Sequence, residues 1–294
     1  MKISFIIPTY NSSDTISKAI TSIRSNIECP YEIIVIDDAS TDDTVELVRF
    51  MEVDTLIVLD HNYGGPNAGR NEGLSYVTGD YFCFLDHDDE VLRSFNELIV
   101  QSSELSYGDF ILDRGKKEFI CSFNNGVQTV YDGDYLFKKI LRRDKSDYLF
   151  PNISSMLIHE KYKHIFFETE HYMCDYDYRL RLFDSVKSAV KLNKPVIRKN
   201  SMESGLSKTE LYRWKDYRFA YRTLINYRSD YPKEVKEAEL KLEGTMGRYF
   251  YVKGRMRLAR VFFKRSKKSW KTLLYYLTTY YGSKWVKKKF KVTG

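Results

Sequence analysis

Asp86-His-Asp88 follows directly on a short apolar run, which places two carboxylates on a rigid strand end. Hard oxygen ligands of this kind hold Mg²⁺ or Mn²⁺ against a diphosphate. When a bond to a diphosphate breaks, negative charge gathers on the departing oxygens, and a divalent cation stabilises it without any proton donor. Clustered aspartates after a strand are also common as solvated turns or helix caps, so this chemistry has to be tested against the rest of the chain.

The cluster needs a frame, and residues 1–105 supply the pattern of one. Short β-branched runs alternate with amphipathic segments, as in a parallel sheet with helical crossovers. The expected strands are residues 3–7, 33–36, 55–59 and 81–85. Ile16, Ala19, Ile20 and Ile23 form one helical face, with Ser12 and Ser13 offering caps. Val45, Leu47, Val48 and Met51 follow a capping-box-like pair, Ser40 and Asp43. A Gly-rich loop at 62–67 opens a short helix reaching residue 77, and Gly64, Gly65, Gly69 and Gly73 permit close backbone approach there. Ligands of an open parallel sheet collect outside the carboxyl ends of its strands, which here carry Thr9-Tyr-Asn11, Asp37-Asp38 and residues 86–89. From 109 to 197 the pattern is mixed, with strand-like runs at 110–112, 119–122 and 154–158, and reads as the second half of the same domain. Beyond residue 207 the chain turns helical and rich in Lys, Arg and Tyr.

Four ordered segments, Pro8-Thr-Tyr-Asn11, Ile36-Asp-Asp-Ala-Ser-Thr-Asp-Asp-Thr44, Asn67-Ala-Gly-Arg-Asn-Glu-Gly-Leu74 and Phe84-Leu-Asp-His-Asp-Asp89, together resemble the family 2 glycosyltransferases of GT-A fold. Cys174-Asp-Tyr-Asp-Tyr-Arg-Leu-Arg-Leu182 is similar to that family's acidic segment, although Glu usually stands in place of Cys174. The resemblance implies an α/β GT-A fold over 1–205, with a Rossmann-like nucleotide-sugar half (1–105) and an acceptor half (106–205) sharing a mixed sheet. A basic helical region, 206–294, follows. It implies an inverting, metal-dependent transfer of a hexosyl or N-acetylhexosaminyl group from a UDP-sugar to a hydroxyl of a glycan or lipid-linked acceptor, in bacterial surface polysaccharide synthesis. Carried onto this sequence, Pro8, Thr9 and Tyr10 line the nucleotide pocket and Asp38 accepts a hydrogen bond from uracil. Asn67 and Arg70 also fall on the nucleotide side, where a planar guanidinium suits a uracil carbonyl or phosphate oxygens. Asp86 faces the donor and, with Asp88, holds Mn²⁺ or Mg²⁺. Asp175 is the expected general base, with Asp177 as the alternative. Arg198-Lys-Asn-Ser-Met-Glu-Ser-Gly-Leu-Ser207 resembles the family's closing loop without the His often found there; Asn200 or Ser201 stands near that place.

Other chemistries lack their main features. The glycines do not follow the phosphate-loop spacing, and no Gly-x-Gly-x-x-Gly follows the first strand, which excludes the usual ATPase and dinucleotide-binding signatures. The four cysteines are far apart, without zinc or redox spacing, and fit a reducing cytoplasm. No apolar run approaches the roughly 18–20 residues of a membrane span, and the opening residues lead into a strand instead of a signal peptide, so a cytoplasmic protein, soluble or peripheral on the membrane's inner face, is expected. The net charge of +7 is unevenly placed: residues 255–294 carry 13 Lys or Arg and no Asp or Glu, leaving −6 for everything before them. Trp270, Leu273, Leu274, Leu277 and Tyr281 recur at helical spacing within that tail, a pattern suited to an anionic membrane surface or to packing on protein. Nucleic acid is not expected, since no recognised module accompanies the charge. Oligomeric state stays open, and the competing class is a non-catalytic protein that keeps the nucleotide-sugar pocket for binding or assembly.

Overall fold

The computed structural model describes residues 1–101, 103–113, 118–121, 128–144, 151–170, 175–200 and 209–282. Its first half is built from β1 (Ile3–Thr9), α1 (Ile16–Asn26), β2 (Tyr31–Asp37), α2 (Thr44–Phe50), β3 (Thr55–Val58), α3 (Pro66–Leu74) and β4 (Tyr81–Phe84). All seven residues of β1 are buried, because a central strand of a parallel sheet has covered faces on both sides and so reads as a continuous apolar run. The four strands lie parallel in the order β3-β2-β1-β4. The connections run one way from β1 to β2 and β3 and the other way to β4, so a crevice opens at the strand tips between them.

The helices form where the apolar spacing places them, but their ends are held differently from the sequence expectation. Thr15, not Ser12 or Ser13, is the residue before α1, and it makes no side-chain cap. The Ser12 amide instead donates to Thr44 Oγ1 at 2.8 Å, while the Ser13 amide donates to Asp42. At α2 the Ser40–Asp43 box is absent: Asp43 caps nothing, Ser40 bonds Asp37, and Asp42 Oδ1 accepts the Thr44 amide at 3.1 Å. These polar groups tie the β1 loop to the β2 loop, and that competes successfully with capping because both loops border the crevice. α3 lies close against β1 and β2 through Gly69 and Gly73; a Cβ on Gly73 would sit 2.4 Å from Ile6 Cγ2.

The second half adds β5 (Asp89–Val91), α4 (Asn96–Ile99), β6 (Leu105–Asp113), β7 (Glu118–Cys121), β8 (Gln128–Asp132), α5 (Gly133–Leu141), β9 (Met156–His159), α6 (Asp175–Ser185) and β10 (Ser188–Asn200). The described strands make one mixed sheet, β3-β2-β1-β4-β9-β6-β10-β5, with β7 on β6 and β8 on β10. β9 runs antiparallel to β4 and β6, and β10 runs parallel to β6 but antiparallel to β5 and β8. β10 went unread in the sequence because its 13 residues include Lys191, Asn193, Lys194 and Pro195. Lys191 is buried with Asp109 of β6 2.8 Å from its ammonium and Asn193 Oδ1 accepting from it at 2.7 Å, partners that offset its desolvation.

The chain divides into two compact units, residues 1–137 with 145–205, and residues 138–144 with 206–294. The second takes in the end of α5, from Lys138 on, as well as α7 (Glu210–Asn226), α8 (Pro232–Val252), α9 (Met256–Arg265) and α10 (Trp270–Thr278). Its core is aromatic: Phe250, Tyr251, Phe262 and Phe263 are buried, with Trp214, Tyr217 and Tyr275 packed on them. The apolar stripe of α10 faces outward, with Trp270 78% and Leu273 56% exposed. Lys284 and the lysines at 287–291 lie outside the described residues. Among the described residues no helix is long and apolar enough to cross a membrane.

Candidate active site

The tips of β1 and β2 run side by side, Pro8 opposite Ile36 and Thr9 opposite Asp37. Two adjacent aspartates then part company. Asp37 is fully buried and accepts both the amide and the hydroxyl of Ser40, so it serves the turn. Asp38 turns to the crevice; its amide donates to Thr9 O at 2.8 Å and its Oδ1 accepts the Tyr63 amide at 2.9 Å. Burial pushes its carboxyl above the usual range, against the pull of the Tyr63 and Gly64 amides. Between them stand Asn11 and Ala39, both at positive φ (46° and 59°), a conformation that costs a non-glycine residue roughly 1–3 kcal/mol and is held by Asn11 Oδ1 accepting the Thr41 amide. Thr9 Oγ1 is buried without a partner, while Tyr10 is 42% exposed. Tyr63, stacked on His61 at 4.1 Å, adds an aromatic surface beside Asp38 that the residue pattern alone did not single out.

At the tip of β4 three carboxylates, Asp86, Asp88 and Asp89, offer oxygens that lie within 4.8 Å of one another. Two cations reach into them. Arg70 Nη2 meets Asp86 Oδ1 at 2.7 Å, and Lys199 Nζ meets Asp89 Oδ2 at 2.7 Å and Asp86 Oδ2 at 3.5 Å. The β5–β10 register explains Lys199, since it stands directly opposite Asp89. Ser154 Oγ donates to Asp89 Oδ2 at 2.7 Å, yet Asp89 Oδ1 is buried and has no partner. His87, between the aspartates, turns away and pairs with Thr15 Oγ1 at 2.9 Å. Burial raises the carboxyl of Asp88 and that of Asp89, and Asp86 adds to both; burial acts on Asp86 too, but Arg70 and Lys199 outweigh it and hold that carboxyl low. Three hard oxygen donors, one of them orphaned, and a surplus of negative charge fit a divalent cation.

The structure places the remaining expected residues around this cluster. The Asn67 Nδ2 amide donates to Glu168 O at 2.8 Å and its Oδ1 accepts from Arg70, so it positions the guanidinium and the segment after Phe167. Arg70 is spent on Asp86 and lies over the Phe167 ring at 5.1 Å. Asp175 opens α6 and pairs with Arg179 at 2.8 Å; Asp177 pairs with Arg181 at 2.7 Å. The Asp175 side chain is 30% exposed and that of Asp177 only 10%. α6 is anchored to the β4 tip by Tyr178, which stacks on Phe167 at 3.9 Å and edges onto Phe84 at 5.8 Å. Asp175 lies one turn before Tyr178 on the same helix face. Asn200, expected near a family His, donates to Asp88 O at 2.9 Å; Cys174 and Ser201 lie outside the described residues. The sequence assigns no role to Lys199 or Ser154, and to Asp89 only a place in the polar strand end at 86–89; the strand pairing sets Lys199 opposite Asp89, and the Ser154 hydroxyl reaches Asp89 Oδ2.

A parallel four-strand half ending in polar tips, joined through an antiparallel strand to a second half that brings an acidic helix, defines an α/β fold of GT-A type. The sequence profile of Glycosyl transferase family 2 matches residues 4–173, and the chain belongs to that family. A GalNAc(5)-diNAcBac-PP-undecaprenol beta-1,3-glucosyltransferase of Campylobacter jejuni is 38% identical over 110 residues, 36% of this chain and 36% of the relative. A poly(ribitol-phosphate) beta-glucosyltransferase of Bacillus spizizenii is 36% identical over 119 residues, 37% of this chain and 19% of the relative. The matched stretches thus span about a third or less of these relatives' own lengths. The crystal structure of S. aureus TarS 1-349 in complex with UDP-GlcNAc superposes with a TM-score of 0.64 at 17% identity, covering 91% of this chain and 82% of that one.

Proposed function

We propose that this protein is an inverting glycosyltransferase that moves a sugar from a UDP-sugar to a hydroxyl of a glycan or lipid-linked acceptor of a bacterial surface polymer. The observation that carries the reading is the convergence on one crevice of Thr9 and Asp38 at the β1 and β2 tips with the Asp86, Asp88 and Asp89 carboxylates at the β4 tip. Relatives that act on undecaprenol-linked and poly(ribitol-phosphate) acceptors, and a structural neighbour that binds UDP-GlcNAc, favour the same substrate classes. Asp38 and Thr9 receive the base, and Tyr10 or Tyr63 supplies a flat wall. Asp86, Asp88 and Asp89 would hold a divalent cation, which would supply charge neutralisation at the diphosphate. Asn67 and Asp86 hold Arg70 beside it. Asp175, the more open of the two helix carboxylates, takes the acceptor hydroxyl's proton from the side opposite the leaving group. The exposed apolar face of α10 and the basic tail support a position at an anionic membrane surface, where a lipid-linked acceptor would reside.

Calorimetric titration of the full chain with UDP, with and without Mn²⁺, followed by UDP release from a panel of UDP-sugars, tests the reading. Binding together with release from at least one donor is expected. Absence of UDP binding under both conditions sinks the donor assignment, and binding without release from any donor favours the non-catalytic alternative.

A further inference from the structure

The charges at the β4 tip do not balance, and the imbalance has a consequence for how ligands enter. Asp86, Asp88 and Asp89 contribute three carboxylates; Arg70 and Lys199 already answer two of them at 2.7 Å each. Arg70 is fixed from two sides, by Asn67 Oδ1 and by Phe167 beneath its guanidinium. Lys199 is delivered by a strand, opposite Asp89 in the β5–β10 register, and it also lies 3.5 Å from Asp86 Oδ2 and 3.4 Å from Asn152 Oδ1. Neither cation is a surface charge that water could replace at no cost, since the Arg70 side chain is 5% and the Lys199 side chain 22% exposed.

We propose that Lys199 is a resident counter-cation of the carboxylate cluster, and that by cancelling one aspartate it makes uptake of a divalent cation depend on the donor's diphosphate. Three acidic charges against two basic ones leave the protein alone a single unmatched negative charge. A divalent ion arriving alone overshoots it, and a diphosphate arriving alone is repelled by it. Together they fit, because the second charge of the ion is met by the phosphates. Coupling of this kind is reciprocal, each ligand tightening the other by the same factor. Removing the Lys199 charge alters the two ligands in opposite directions: the site becomes more acidic, so the metal alone binds better and the diphosphate alone binds worse. A merely structural lysine would weaken both on removal. Lys199 is therefore a positioning residue for the ion, acting through Asp86 and Asp89.

The proposal rests on the donor-site reading above, and its test separates the two. Binding of Mn²⁺ alone is followed by the loss of the free-ion paramagnetic resonance signal, and binding of UDP alone by calorimetry, for the wild-type chain and for Lys199→Gln, Lys199→Met and Lys199→Arg. In wild type, Mn²⁺ alone binds weakly and tightens on adding UDP. In Lys199→Gln and Lys199→Met, Mn²⁺ alone binds about tenfold more tightly, inside the roughly 5- to 150-fold range of coupled sites, while UDP alone weakens; Lys199→Arg stays close to wild type. Met preserves the stem volume if Gln disturbs packing. Unchanged or weaker Mn²⁺ binding in a folded neutral variant overturns the proposal. So does a wild-type chain that binds Mn²⁺ equally well with and without UDP, whatever the variants do. Failure of UDP to bind any of these proteins both with and without Mn²⁺ strikes the donor reading instead.

Discussion

Neighbouring aspartates in this chain do different work, and their partners decide which. Asp37 is consumed by Ser40, while Asp38 keeps one carboxyl oxygen beyond the bond to Tyr63. The same division separates Asp175 from Asp177: both pair with an arginine four residues on, and each arginine also donates to a backbone carbonyl, but the Asp175 side chain stays 30% exposed and that of Asp177 only 10%. A base must reach an incoming hydroxyl, so under the proposed reaction exposure favours Asp175 over Asp177. Asp175→Asn is expected to lower turnover by about 10²- to 10⁴-fold with UDP affinity within a factor of about two of wild type. Asp177→Asn should act mainly on stability through the lost Arg181 pair. Steady-state rates and UDP titration of both variants decide it; near-normal turnover from Asp175→Asn together with collapse in Asp177→Asn would transfer the role.

At the scale of elements, legibility follows the physics of burial. β1, β2 and β4 were readable because strands covered on both faces must be apolar, and α1 because its buried face repeats with the helical period. The acidic tips were readable for the opposite reason, being polar where the pattern calls for none. Hidden from the sequence were β10, whose lysine is buried by a partner 82 positions away, and the helix caps, whose serines and aspartates tie loop to loop instead. Lys199 belongs to the same class, since a strand register, not a spacing, gives it its place. α3 shows how little room the frame leaves. Gly73 presses on Ile6, and a methyl group there would come within 2.4 Å of Ile6 Cγ2, whereas at Gly69 the nearest atom, Pro8 Cβ, is 3.2 Å away. Gly73→Ala should therefore destabilise by about 1–3 kcal/mol and tilt the helix that carries Arg70; Gly69→Ala should cost less. Urea unfolding midpoints rank the two, and the reverse order would mean that α3 is not seated through Gly73.

For the molecule as a whole, the decisive quantity is the separation of charge between its ends. A body near −6 is repelled by an anionic leaflet, whereas residues 255–294, with 13 basic and no acidic side chains, are attracted by it. α9 and α10 give that attraction an apolar component: Trp270, Leu273, Leu274 and Leu277 are each at least 42% exposed, and Lys264, Lys268 and Thr272 line a cavity of about 580 Å³ between them. A protein surface covering this face would meet the apolar stripe but gain little from the lysines. A lipid surface meets both, at roughly 1 kcal/mol for each basic residue near the headgroups. Co-sedimentation of the full chain should accordingly be strong with vesicles containing phosphatidylglycerol, weak with pure phosphatidylcholine, and reduced by raising the salt concentration. Trp270→Ser with Leu273→Ser, two exposed positions outside the catalytic crevice, should weaken vesicle binding and leave UDP binding unchanged. Equal sedimentation with neutral and anionic vesicles, or none with either, would show that the basic end serves another partner.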